Sequence, residues 1–405
     1  MSAGRLRIKI GPRLPQAQSK LSSLDDPMKF SRRKLLKLGS LGLMRALLPP
    51  LPPVDFYTDG ELIRPLTRRP VIAFARSLQF GAIVRSEPSL RAPQVRTLRR
   101  DDVLPIYAEL RTESGSPHNK VWYEVEGGYM HSALVHPVRW QLNRAITDAG
   151  ENGFWAEVTV PFVDSRVAPS VNAAPTKYRY YGGTVYKVIE AVRSPDRPQD
   201  VEARPLPFSG DVEWWYRIED ESFPGRYFVP ASHLRPIAQA EFAPLSPEVD
   251  PREKKIVVKL REQRLYAYEG EREVFTCRIA SGTYFKDEET GELKDYTTTP
   301  GRWFVFHKTP TQHMYGGAVG DAESFDLPGI PWVSYFTRSG IAVHGTYWHN
   351  DYGVPRSHGC VNVTSESAKW VWRWTLPPND YQKRYATLPV KDRQNPARGT
   401  TVIVE

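Results

Sequence analysis

Cysteine is scarce in this chain of 405 residues, in which only Cys277 and Cys360 occur. Two cysteines cannot form the disulfide framework of a small secreted scaffold, and no spacing of cysteines and histidines matches a zinc site. The sequence therefore predicts neither a metal nor an organic cofactor. Long apolar runs are missing as well, since no run approaches the roughly eighteen residues that a membrane-spanning helix needs.

Excess charge is absent from most of the chain. The formal net charge is +9, but residues 1–48 hold eleven lysines and arginines against two acidic residues, and the remainder holds 44 residues of each sign. The high isoelectric point is thus a property of the N-terminal leader. A nucleic-acid-binding face on the folded body is not predicted.

The leader, residues 1–53, combines features of an export signal. Residues 31–36 (SRRKLL) resemble the twin-arginine consensus, an apolar stretch follows at 38–48, and a proline-rich spacer follows at 49–53. Arg45 interrupts the apolar stretch, and a disordered basic tail is the alternative interpretation. The leader predicts an exported protein of the cell envelope, periplasm or cell wall, held close to the membrane through this segment.

Helical periodicity is scarce beyond the spacer, whereas short β-type runs between Gly, Pro and Asp turns are frequent. This pattern predicts a mainly β chain. Residues 75–140 and 155–240 look like two copies of one module. Each contains Arg-x-x-Pro-Ser, beginning at Arg85 and at Arg166, and each has a Trp-Tyr strand later in the segment.

The order of these features resembles the bacterial SH3-like modules, which are small β-barrels. The resemblance predicts two such modules, at 75–140 and 155–240, whose tryptophan and tyrosine side chains fill small cores. Modules of this kind in wall enzymes hold the enzyme on peptide or glycan strands, and a pure spacer role fits equally well. Residues 240–252, which contain three prolines, predict a linker to a third domain.

The most informative segment of the chain is Ser357-His358-Gly359-Cys360-Val361-Asn362, which follows His344-Gly345. The thiolate, rather than the thiol, is the nucleophile. A histidine within hydrogen-bond reach can take the thiol proton and later return it to a leaving group. Gly359 allows a sharp backbone bend, and its amide and that of Cys360 are candidate oxyanion donors. A buried structural cysteine with chance histidines nearby is the alternative.

This segment resembles the L,D-transpeptidase family, whose catalytic domain is often called YkuD. The family pattern is His-Gly, a gap, Ser/Thr-His-Gly-Cys, a hydrophobic residue and Asn or Arg, and every fixed position is filled here. The resemblance spans residues 254–405 and implies a β-rich catalytic domain with few helices after the two SH3-like modules. It implies Cys360 as nucleophile, His344 as general base and then acid, and the carbonyl of Gly345 as the group that orients the imidazole.

The resemblance also implies the substrate, peptidoglycan stem peptides joined by 3→3 crosslinks through a thioester on Cys360. Water as acceptor would make the same site an L,D-carboxypeptidase, and a different amine would attach a protein to the wall. The oxyanion and substrate-binding residues expected from this resemblance are His358, Gly359, Ser357, Asn362, Tyr335 and Trp332. A wall-binding protein with an inactive third domain and a cytosolic cysteine protease are the competing classes, and the oligomeric state is not predicted.

Three further features each have two interpretations. The acidic insert at 283–298 predicts a solvated loop or a lid over the site. Cys277 predicts an ordinary strand residue or a redox partner of Cys360. His313 and His349 lie outside the family pattern and predict surface or structural roles.

Overall fold

The computed structural model describes residues 56–58, 61–63, 69–208, 210–286, 290–316 and 324–405. Strands dominate these residues, among which there are two α-helices, α1 (Pro198–Ala203) and α2 (Ser365–Trp374). The predicted mainly β fold is confirmed. The leader at 1–53, with its twin-arginine-like segment, lies outside the described residues. Within them no helix is both long enough and apolar enough to cross a membrane.

A short hairpin, β1 (Phe56–Thr58) and β2 (Glu61–Ile63), precedes the first module. The strands of that module are β3 (Ala73–Ser77), β4 (Ala82–Arg85), β5 (Gln94–Leu98), β6 (Val103–Ser116), β7 (Asn119–Val125), β8 (Gly128–His131) and β9 (Val135–Val138). They form one antiparallel sheet in the order β5-β4-β8-β7-β6-β3-β9. A 3-10 turn at Ser132–Leu134 leads into the last strand.

The second module repeats this arrangement. Its strands are β10 (Phe154–Val158), β11 (Phe162–Arg166), β12 (Pro175–Tyr181), β13 (Val185–Arg193), β14 (Trp214–Glu219), β15 (Tyr227–Pro230) and β16 (Leu234–Pro236). Their order is β12-β11-β15-β14-β13-β10-β16. Each strand thus takes the place of its counterpart in the first module, and a 3-10 turn at Ala231–His233 again precedes the last strand.

Equivalent side chains in the two modules make equivalent contacts. Arg85 donates from its guanidinium to Ala92 O at 2.6 Å, and Arg166 donates to Ala173 O at 2.5 Å, seven residues on in both cases. Trp122 and Trp215 are both fully buried. The sequence repeat is therefore also a structural repeat. A half-barrel sheet of this kind is consistent with an SH3-like module, an assignment that stays a prediction.

The third domain contains two five-stranded sheets and a hairpin. Its strands are β17 (Lys254–Lys259), β18 (Arg264–Glu269), β19 (Arg272–Arg278), β20 (Tyr284–Lys286), β21 (Leu293–Asp295), β22 (Gly301–Phe304), β23 (His307–Gly316), β24 (Phe325–Tyr335), β25 (Ala342–Gly345), β26 (Val361–Val363), β27 (Ala386–Thr387) and β28 (Thr401–Val404). The first sheet has the order β19-β18-β17-β28-β22, and the second has the order β26-β25-β24-β23-β27.

One apolar core joins both sheets to helix α2. Val258 from β17, Val343 from β25 and Trp372 from α2 all belong to it. The Thr364 side chain caps the helix by accepting a hydrogen bond from Ser367 N at 3.2 Å. The helix therefore covers the back of the strand pair β25–β26 and leaves their other face for the site described below.

The segment predicted as a linker, 240–252, is packed rather than free. Phe242 is 2% exposed, and its ring lies 5.0 Å from that of Trp372, 5.7 Å from that of Trp332 and 6.2 Å from that of Trp155 in the second module. The prolines of this segment indicate a break in regular structure. The Phe242 side chain nevertheless packs against both the second module and the third domain.

We expect Phe242→Ala to lower the free energy of unfolding by roughly 3–5 kcal/mol, because the truncation leaves a cavity among three tryptophans. Urea denaturation followed by tryptophan fluorescence measures this change. Phe80→Ala is the matched control, since Phe80 is 74% exposed and its loss should leave stability nearly unchanged. Equal effects of the two substitutions would contradict a structural role for the segment.

Candidate active site

The two strands β25 and β26 bring the predicted catalytic residues together. They pair in parallel, with Val343 opposite Val361 and His344 opposite Asn362. Side chains alternate along a strand, so His344 and Asn362 share one face, and Cys360, two residues before Asn362, lies on that same face. His344 and Cys360 are thus diagonal neighbours on one face of the strand pair.

Cys360 is half-buried at the edge of an apolar cluster that includes Tyr335, Ala342, Tyr347 and Trp348. The sulfur lies 3.8 Å from Gly340 O. Burial raises the pKa of the Cys360 thiol to about 11, although a hydrogen bond from the Ala342 backbone N–H acts in the opposite direction. The thiol is therefore protonated at neutral pH in the resting protein.

His344 is held in the tautomer that a general base requires. Its Nδ1 lies 3.0 Å from Gly345 O, and since a carbonyl only accepts, Nδ1 carries the proton and Nε2 keeps a lone pair. Burial lowers the pKa of His344 to about 4, against a smaller opposing effect of the Gly345 hydrogen bond. The imidazole stays neutral through the physiological range and loses its acceptor nitrogen only as the pH falls toward that value. The resting pair is thus a neutral thiol and a neutral imidazole.

The loop that presents Cys360 is fixed by side chains on both sides. Ser357 Oγ donates to Cys360 O at 2.5 Å and accepts from Gly359 N at 3.2 Å. Thr298 Oγ1 donates to Gly359 O at 2.8 Å. Gly359 has a φ of +110°, a conformation that favours glycine. Ser357 already occupies the Gly359 N–H, so that amide must change partners before it can serve an oxyanion.

His358 lies in an aromatic surround provided largely by the acidic insert. Its ring stacks on Phe285 at 4.1 Å and 4°, and lies 4.8 Å from the ring of Tyr296. Phe325 from β24 completes the group at 5.4 Å. Phe285 belongs to the hairpin β20–β21. The insert therefore contacts the cysteine motif directly, as a lid would, rather than standing away from it as a solvated loop.

The remaining predicted pocket residues divide between two places. Tyr335 shares the apolar cluster with Cys360. The Asn362 side chain, by contrast, contacts His349 Nε2 at 3.1 Å, which makes both residues supports of the strand pair. Trp332 packs in the core of helix α2, with its ring 5.0 Å from that of Trp372. The structure thus groups Tyr335 with the cysteine and leaves Trp332 apart from it.

The first module holds the loop that connects His344 to Cys360. Asp351 accepts from Asn119 Nδ2 at 3.2 Å and lies 2.8 Å from His118 Nε2. It also pairs with Arg356. Burial alone would raise the pKa of Asp351, but the His118 hydrogen bond and the Arg356 charge hold it below its usual range. Arg76 adds a hydrogen bond to Tyr347 O.

Sequence reasoning missed several of these supports. No local sequence motif marks these supporting residues, which are Thr298, Asp351, His118 and Asn119. Only the tertiary fold brings them to the loop between His344 and Cys360. His313 is structural: its ring nitrogens lie 2.5 Å from Asp220 of the second module and 2.5 Å from Asp326. Among the described residues no group of three or more His, Cys, Asp or Glu side chains is arranged to hold a metal ion.

Comparison with known proteins agrees with this geometry. Residues 253–404 match the family model of the L,D-transpeptidase catalytic domain, YkuD. This segment is therefore similar to L,D-transpeptidase catalytic domains. The Bacillus subtilis protein named "Putative L,D-transpeptidase YciB" is 26% identical over 136 residues, which cover 31% of this chain and 63% of that relative. The chain thus spans less than two thirds of its curated relative.

Several solved structures that are similar to this chain are named L,D-transpeptidases. The match to an L,D-transpeptidase from Mycobacterium smegmatis has 18% sequence identity and a TM-score of 0.28. It covers 38% of this chain and 58% of the Mycobacterium smegmatis chain. An L,D-transpeptidase fragment from Xylanimonas cellulosilytica is 27% identical over 38% of this chain and 60% of its own, with a TM-score of 0.25. These scores are too low to establish a common arrangement over the whole chain.

The neutral state of the Cys360 thiol can be measured. In a Cys277→Ala background, we expect the rate of Cys360 alkylation by iodoacetamide to rise with an inflection near pH 11, because burial raises the Cys360 pKa to about that value. The further substitution Cys360→Ala should abolish the alkylation. An inflection well below the ordinary cysteine pKa of about 8.5 would instead indicate a thiolate–imidazolium pair.

The support from the first module is a separate prediction. His118→Ala should slow alkylation of Cys360 by a bulky peptidyl iodoacetamide roughly tenfold, because the loop between the histidine and the cysteine loses one of its anchors and small misplacements are costly. Lys120→Ala is the control, since Lys120 lies two residues away and pairs with Glu113 at 2.6 Å rather than with the loop. Identical rates for the two variants and the parent protein would show that the module does not position the site.

Proposed function

We propose that this protein is a cysteine-dependent L,D-transpeptidase that acts on peptidoglycan stem peptides through a thioester on Cys360 and forms 3→3 crosslinks. One observation carries the proposal. His344 presents an unprotonated Nε2 on the same sheet face as Cys360, because its Nδ1 proton is donated to Gly345 O at 3.0 Å. The match of residues 253–404 to the catalytic-domain family supports the same chemistry.

Acylation begins from the neutral pair. As the sulfur attacks the carbonyl of the third residue in a tetrapeptide stem, the thiol proton passes to His344 Nε2. The imidazolium then gives this proton to the amine of the departing D-residue when the peptide C–N bond breaks. The Cys360 thioester and a free D-amino acid are the products, and the imidazole is neutral again.

Deacylation reverses these roles. The side-chain amine of a neighbouring stem's third residue attacks the thioester carbonyl and loses a proton to His344. The C–S bond breaks, the leaving sulfur is reprotonated by His344, and an amide joins two third residues. Water as the nucleophile would release a tripeptide, and an amine of another protein would be attached to the wall instead.

The apolar surroundings of Cys360 make the formation of charge during these steps unfavourable. Charge develops on sulfur, imidazole and substrate oxygen only in the transition states, so fixed backbone dipoles are the relevant stabilisers. The backbone hydrogen bond of Ala342 lowers the pKa of the Cys360 thiol and so favours its anionic form. The Cys360 N–H, and the Gly359 N–H after release from Ser357, are the proposed oxyanion donors.

We place the donor stem between the cysteine and the hairpin β20–β21. His358, stacked on Phe285, would form one wall of this groove, and the half-buried Cys360 lies at its base. Trp332 takes no part in the proposed groove, since it packs on helix α2. Export through the N-terminal leader would bring the enzyme to this substrate, and the modules would support the catalytic loop in addition to any contact with the wall.

The central test is a mass measurement on the full chain. The purified protein, mixed with a tetrapeptide stem, should gain the mass of the tripeptide acyl group, and Cys360→Ala should abolish this gain because the nucleophile is gone. His344→Ala should slow the gain roughly 100-fold or more, as expected for the loss of a general base. Cys277→Ala is the matched control and should acylate normally.

An adduct that persists in Cys360→Ala, or one that is lost in Cys277→Ala, would contradict the assignment. Adding a second stem then identifies the acceptor. A crosslinked dimer supports transpeptidation, and release of free tripeptide alone supports carboxypeptidation.

A further inference from the structure

A cleft of about 200 Å³ lies where both modules meet the transpeptidase domain. Its lining includes four basic side chains, Arg76 and Arg100 from the first module and Lys177 and Arg179 from the second. The transpeptidase domain contributes Trp348 and neighbouring residues. Neither module alone nor the catalytic domain alone contains this cleft, so it exists only in the assembled chain.

Residues that line the cleft also contact residues of the cysteine site. The ring of Trp348 lies 5.9 Å from that of His344. Tyr181 and Leu327, which also line the cleft, pack against the same apolar cluster as Cys360. The cleft is therefore close enough to the cysteine site to receive another part of a peptide bound there.

Three of the four basic side chains are already paired. Arg76 and Arg179 bind the two oxygens of Asp101 at 2.7 and 3.0 Å, and Lys177 binds Asp326 at 2.9 Å. Arg100 is exposed and makes no ion pair with any residue that the structure describes. It precedes Asp101, a non-glycine residue with a φ of +68°. The turn thus directs the Asp101 carboxylate toward Arg76 and Arg179. The Arg100 guanidinium is left without an ion-pair partner among the described residues.

Two buried polar atoms on the lining also lack partners. Arg76 Nε and Tyr347 Oη have no hydrogen bond within the described part of the chain, although Arg76 is only 2% and Tyr347 only 3% exposed. Buried polar groups are nearly always satisfied in folded proteins. The lining thus combines an exposed guanidinium that has no ion pair among the described residues with two unsatisfied polar atoms, which favours a polar, anionic ligand group.

We propose that this cleft is a subsite for a carboxylate of the donor stem peptide, with Arg100 as its charge contact. The proposal rests on the proposed function, which supplies an acidic peptide as substrate. A guanidinium suits this task because its planar donors match the two oxygens of a carboxylate. The modules then contribute directly to substrate selection.

The test measures peptide binding to the full chain carrying Cys360→Ala, so that no chemistry intervenes. The probes are the synthetic stem L-Ala-γ-D-Glu-L-Lys-D-Ala and the same peptide with its carboxyl groups amidated, titrated by calorimetry. Arg100→Gln should raise the Kd of the free-carboxylate stem about tenfold, a fold-change typical of one charged contact. It should leave the Kd of the amidated stem unchanged, and Arg100→Lys should restore part of the affinity.

Arg91→Gln, another exposed arginine of the first module, is the control and should not change either Kd. A change of less than twofold in Arg100→Gln, an equal loss with both peptides, or no measurable binding of the free-carboxylate stem would overturn the subsite. The mass measurement of thioester formation is separate from this result. Acylation without charge-dependent binding removes only the cleft, and charge-dependent binding without acylation removes only the proposed chemistry.

Discussion

Parallel pairing of two short strands, β25 and β26, is the constraint on which the rest of the site depends. Because His344 is level with Asn362, the alternation of side chains brings the imidazole and the sulfur to one face, and helix α2 closes the other. A slip of one residue in this register would turn Cys360 toward the core. The contacts of Asn362 with Ala280 on one side and His349 on the other secure the register.

The domains of this chain cooperate more closely than a string of modules on linkers. Phe242 joins the second module to the core around α2, and Asp351 ties the catalytic loop to the first module. The interface with the second module also contains charge, since His313 lies between Asp220 and Asp326. The loop between His344 and Cys360 is thus held in part by residues outside the third domain.

The sequence predicts the parts of this structure that depend on local pattern. The repeated Arg-x-x-Pro-Ser and Trp-Tyr segments anticipate two sheets of equal strand order, and the spacing of His344 and Cys360 anticipates a site. Contacts between distant segments leave no such mark, since His118 and Asp351 are 233 residues apart. Two local signals of packing do stand in the sequence, beside patterns that favour a linker and a solvated loop. Phe242 lies among the prolines of the linker, and Phe285 and Tyr296 lie among the acidic residues of the insert. Aromatic side chains in such company indicate packing.

The acceptor that orients His344 is a main-chain carbonyl, and this choice has an evolutionary consequence. A carboxylate in that role could be lost through one codon change, whereas no side-chain replacement can delete a peptide oxygen. A substitution of Gly345 itself would instead disturb this arrangement, because a methyl group there would lie 2.8 Å from Pro331 and 2.9 Å from the backbone of Ser365. A neutral acceptor also stabilises an imidazolium less than an anion would, so the proposed mechanism would have His344 pass its proton on readily.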